Sequence, residues 1–148
     1  MDKTFRNFAA TAVLACVPPA WAQETVGDLL KRGLRPMSAD ELKAFLPGST
    51  YVGPRGAGAT GSGGGDPLEL KLGADGKAEG TRSMTPVVGD WKVDADGHFC
   101  YSVSPTVSRG RRSPSEACHF VFKADDAYYS AADAVNGDAR LLKVQFKR

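Results

Sequence analysis

The chain has 148 residues, 42% of them hydrophobic, and 19 Lys and Arg stand against 17 Asp and Glu for a formal charge of +2. So even a balance gives no electrostatic basis for nucleic-acid binding, and the length suits one domain around one core. The only extended apolar run lies near the start and is too short to cross a bilayer as a helix, which argues against a membrane-spanning chain.

Residues 1–22 read as a secretory signal peptide. Lys3 and Arg6 form a basic start, an apolar run covers 8–17, and Ala20-Trp21-Ala22 is a small-residue exit before Gln23. Cleavage after Ala22 leaves 23–148 as a single β-rich domain in the periplasm or outside the cell. The alternative is a lipoprotein anchored at Cys16, after Val13-Leu14-Ala15. Cleavage also removes one of the three cysteines. Cys100 and Cys118 remain, and in an oxidising compartment an even pair reads as a disulfide.

Two short helices are expected first, over 25–34 and 38–46. The second opens on Ser38 with Glu41 three residues later, a capping box. Leu42, Phe45 and Leu46 then share one face before Pro47-Gly48 ends it. A strand is expected over 49–52. Residues 53–66 hold seven glycines but lack the Lys of a phosphate loop, so they read as a flexible connection. From Leu68 onward, short alternating runs and turn signals predict an antiparallel meander. The runs cover 68–72, 77–82, 86–93, 98–103, 118–123, 128–131 and 141–146. Asn136-Gly137 is a strong hairpin signal. The expected fold class is therefore mainly β, with about seven to eight strands. They form a small barrel or a strongly curled sheet, preceded by one or two short helices.

Two stretches within this meander match: Lys71-Leu-Gly-Ala-Asp-Gly76 and Lys92-Val-Asp-Ala-Asp-Gly97. A calcium loop would need alternating acids and a Glu six residues after the Gly, but those places hold Arg82 and Val103. Asp-Gly between alternating runs reads instead as a hairpin turn, and no metal or cofactor is expected. If Cys100 faces Cys118, then His98 faces Phe120 and Phe99 faces His119. The two histidines then fall on opposite faces of the sheet, apart from any metal or catalytic cluster. Neither G-x-S-x-G nor H-E-x-x-H occurs, and no enzyme is expected.

Arg109, Arg111 and Arg112 crowd a four-residue window and suit contact with an anionic envelope component. Trp91, Phe99, Tyr101 and Phe120 are the candidates to line a barrel cavity.

Ser38-x-x-Glu41-Leu42, Gly48-x-Thr50, Gly89-x-Trp91, Cys100 and Cys118, in that order, resemble a family of small exported bacterial proteins of unknown function. The likeness spans roughly residues 36–146 apart from the glycine-rich insertion. It implies an exported single domain and no defined activity. The G-x-W is similar to that of lipocalin and avidin-like barrels, where it sits on the first strand. Here it is mid-chain, so no ligand site carries over. Two functions stay in view. One is an exported, disulfide-stapled, non-catalytic and monomeric module that binds or inhibits an envelope component. The alternative is a small hydrophobic-ligand carrier with a lipocalin-like cavity.

Overall fold

The computed structural model describes residues 24–54, 67–106 and 116–148. The elements are α1 (Val26–Lys31), α2 (Ala39–Phe45), β1 (Thr50–Pro54), β2 (Pro67–Leu72), β3 (Lys77–Arg82), β4 (Thr85–Val93), β5 (Phe99–Pro105), β6 (Glu116–Ala124), β7 (Ala127–Ala131) and β8 (Leu142–Lys147). Every strand runs antiparallel to the next. β8 returns to β1 through Tyr51 opposite Phe146, and the sheet closes into an eight-stranded barrel. Closure removes the free edges that an open meander would expose. The Arg109, Arg111 and Arg112 window lies outside the described residues, as do residues 1–22 and nearly all of the glycine-rich connection.

Alternation along the strands sorts side chains into inside and outside. Leu68, Leu70 and Leu72 of β2, Phe99, Tyr101 and Val103 of β5, and Val121 and Val144 are buried together in one core. α2 closes one end of it with Leu42 and Leu46. The same end carries the β2–β3, β4–β5 and β6–β7 turns. Gly48 N–H reaches Leu72 O at 2.7 Å, and Gly97 lies against the start of α2, where a Cβ would touch Met37 O and Ala39 N.

α2 starts where the capping box predicts. The Ser38 hydroxyl accepts from Glu41 N–H, and the Glu41 carboxylate accepts from Ser38 N–H at 2.7 Å. These bonds favour the ionised carboxyl and lower the Glu41 pKa. Ser38→Ala should cost about 1 kcal/mol in a urea titration, because it frees an amide at the start of the helix that plugs the barrel.

α1 lies on the outside. Val26 and Leu29 pack against Phe122, Ala124, Ala131 and Leu141 to form a second core. Both faces of β6 are therefore covered, one by the barrel interior and one by the helix. The helix ends at Lys31, short of the expected 34. Gly33 takes a φ of 78°, Gly33 N–H bonds Leu30 O, and Leu34 N–H bonds Leu29 O, which together stop the helix. The chain then runs beside β6, where Met37 N–H bonds Val121 O at 2.7 Å. It fills the edge that β6 leaves free beyond its pairing with β5.

One turn expectation is corrected. Asn136-Gly137 makes no tight hairpin, since β7 ends at Ala131 and β8 begins at Leu142. The segment between them folds against α1 instead, with Gly27 N–H on Gly137 O at 2.9 Å. Asp133 accepts from the amides of Val135 and Asn136. Contact with a distant helix overrides the local turn preference.

Candidate functional site

The pairing of Cys100 with Cys118 occurs as the register predicts, with the Cα atoms 4.0 Å apart and a disulfide between them. Phe99 faces His119, so the odd-numbered residues of β6 point inward and the even-numbered ones outward. Phe120 is therefore an outside residue, with the His98 ring tilted against it at 4.0 Å between centroids. The cavity set Trp91, Phe99, Tyr101 and Phe120 does not converge. Trp91, Phe99 and Tyr101 face inward, where Trp91 Nε1–H donates to Gly73 O at 2.9 Å near the plugged end.

The interior is filled by side chains. Tyr51 and Phe99 are wholly buried and in ring contact with each other at 5.4 Å, and His119 meets Phe99 at 5.1 Å. Among the described residues, both nitrogens of His119 and the Ser130 hydroxyl are buried without hydrogen-bond partners, while the Tyr51 and Tyr101 hydroxyls act on each other in the same interior. Burial raises the pKa of both tyrosines and pushes His119 down to about 4. Among the described residues, these rings occupy the interior that a lipocalin-like carrier would use for its ligand.

On the outside, Lys92 of β4 lies beside Cys100, and its Nζ reaches Glu116 of β6 at 2.6 Å. The ion pair crosses β5 next to the disulfide. Cys100 is buried, and the arrangement reads as a staple.

The end opposite α2 carries a feature that residue preferences did not reveal. Arg82 pairs with Thr85, so only Ser83 and Met84 connect β3 to β4. Both have positive φ, 47° and 66°, and the Met84 side chain is 93% exposed. Asn-Gly and Asp-Gly fill such turns at little cost, whereas two residues with side chains carry strain. The one signal available was spacing, because two alternating runs sit too close together for any longer loop.

At the plugged end the β4–β5 turn gathers Asp94, Asp96 and His98. Asp94 Oδ1 accepts from Asp96 N–H at 3.0 Å and from His98 N–H at 2.8 Å. Its Oδ2 lies 2.7 Å from His98 Nδ1. These bonds, led by the one from the His98 amide, hold the Asp94 pKa down. The two histidines do fall on opposite faces, but His98 is not isolated. It converges with two acids of its own turn, and the signal was the alternation Asp94-x-Asp96-x-His98. No family model, curated protein or solved structure matches this chain.

Proposed function

We propose that the protein is an exported, non-catalytic binding module of the cell envelope. Its contact surface is the barrel end that carries the Ser83–Met84 turn. The observation that supports this is Met84, an apolar side chain almost fully in water on a turn of two left-handed residues. Backbone strain of this kind costs of order 1–3 kcal/mol per residue and persists where the surroundings impose it, often at contact sites. A filled, closed barrel and a cross-strand disulfide make a rigid base for such a tip. A flexible thioether adapts to an irregular apolar pocket on a partner.

Replacing the turn with Ser83→Asn and Met84→Gly separates folding from binding. The variant should gain about 1–2 kcal/mol of stability, since Asn-Gly relieves the strain. Photo-crosslinking from position 84 in envelope extract should yield one discrete adduct. Met84→Ser should weaken capture of that partner about ten-fold, the scale of a buried anchor at an interface. Equal capture by wild type and the Asn-Gly variant would overturn the assignment. Export is tested separately by the mass of the mature protein, which starts at Gln23 without lipid if residues 1–22 are a signal peptide.

A further inference from the structure

We propose that Asp94, Asp96 and His98 form a binding site for a divalent transition-metal ion, with one imidazole nitrogen and two carboxylates as its protein ligands. Each side chain offers a ligand atom, and these atoms lie within 4.8 Å of one another. An imidazole with two carboxylates suits zinc, nickel or cobalt(II), whereas calcium takes a larger shell of oxygens. Three protein ligands and a water would complete a four-coordinate site.

The protein contains its own control for this reading. The β2–β3 turn, Gly73 to Lys77, has the same backbone as the β4–β5 turn. Gly73 N–H bonds Lys77 O and Gly76 N–H bonds Gly73 O, just as Asp94 N–H bonds His98 O and Gly97 N–H bonds Asp94 O. Gly76 and Gly97 take the same left-handed φ, 81° and 84°. The first turn achieves this with Gly73 and Lys77 at the places where the second has Asp94 and His98. Turn geometry alone therefore requires neither residue.

The capping roles differ as well. In the first turn Asp75 Oδ1 accepts from Lys77 N–H, and a side chain on Gly73 would collide with Asp75 Oδ1. In the second, Asp94 takes over the capping, and the exposed carboxylate of Asp96 accepts none of the turn's hydrogen bonds. The second copy thus frees one carboxylate and adds an imidazole beside it.

The donors are also held in place. Two backbone amides fix Asp94, and the His98 ring is set by Phe120 on one side and Asp94 on another. For an ion at Nδ1, the ring carries its proton on Nε2. The 2.7 Å contact between Nδ1 and Oδ2 then opens by about half an ångström to admit metal bonds of about 2.0–2.1 Å. Donors already in position lower the ordering cost of binding.

The test uses the full exported chain with its disulfide intact, so that no thiol competes. After chelator treatment, zinc is titrated by calorimetry and cobalt(II) by NMR. One zinc per chain should bind saturably in the micromolar range, and cobalt(II) should broaden the ring signals of His98 and Phe120 first. The double variant Asp94→Gly/His98→Lys rewrites the turn with the residues of its twin. It should fold as the wild type does and bind zinc about 100-fold more weakly, the scale of losing ligands and their supports. His98→Gln provides a second, milder loss of the imidazole. Zinc binding by either variant equal to wild type overturns the proposal. So does binding that fails to saturate below millimolar, or broadening that begins elsewhere in the chain.

Discussion

Removing the Cys100–Cys118 bond should lower the stability of the domain by about 3 kcal/mol, the chain-entropy value for a loop of this size. The cysteines are 18 residues apart, and their bond spans two neighbouring strands. β5 and β6 share a ladder of four residue pairs, Phe99–His119 to Ser102–Glu116. Beyond it β6 turns to pair with β7 instead. The staple thus sits at a short seam on which closure of the barrel depends. Without it the unfolded chain regains freedom while the folded barrel loses little contact. In Cys100→Ala/Cys118→Ala the melting temperature should fall by roughly 10 °C. The urea m-value should rise, because an uncrosslinked denatured chain exposes more surface. A loss below about 1 kcal/mol would mean that the strand ladders close the barrel unaided.

The second large effect is on acid stability and comes from His119. The imidazole is fully buried, and burial, with a smaller contribution from the charge of His98, lowers its pKa from 6.5 to about 4. The unfolded chain binds a proton at this residue below pH 6.5, whereas the folded chain resists it until about pH 4. Stability is therefore unaffected by this group above pH 6.5 and falls as pH drops between the two values. The loss totals about 3 kcal/mol once the pH is below the folded value. Among the described residues neither ring nitrogen has a partner, so even the neutral ring costs free energy where it sits. His119→Leu should raise stability at pH 7 by about 1 kcal/mol and flatten the fall between pH 6.5 and 4. Urea titrations at closely spaced pH values check both. An acid limb equally steep in the variant would exclude His119 as its cause, because the capping carboxylates Asp28 and Glu41, with pKa values lowered from 3.8 and 4.5, lose their contribution only below that range.

Much of this was legible in the residues. Asp-Gly turns at fixed offsets, alternation between them and a pair of cysteines placed β5 against β6 in the correct register. The capping box at Ser38 located α2. Alternation divides a strand into two faces but does not say which is inside, and β6 is apolar on both. Alternation alone therefore places Phe120 with Trp91, Phe99 and Tyr101, although it sits beside His98 on the outside. The Ser83–Met84 turn escaped because nothing in its residue types favours positive φ. Asn136-Gly137 misled because its preference is local, and contact with Gly27 outweighs it.

The sequence by itself determined the class of fold, the staple and the plugging helix, because each rests on short-range rules of period, capping and turn chemistry. Only the tertiary structure decided that the sheet closes, that its interior is filled and that α1 covers the second face of β6. Those outcomes depend on which side chains meet across the whole chain. The twin turns show both halves at once. Their shared glycine and backbone were legible in K-[LV]-x-A-D-G. The convergence of Asp94, Asp96 and His98 appears only when the second copy is seen folded beside Phe120.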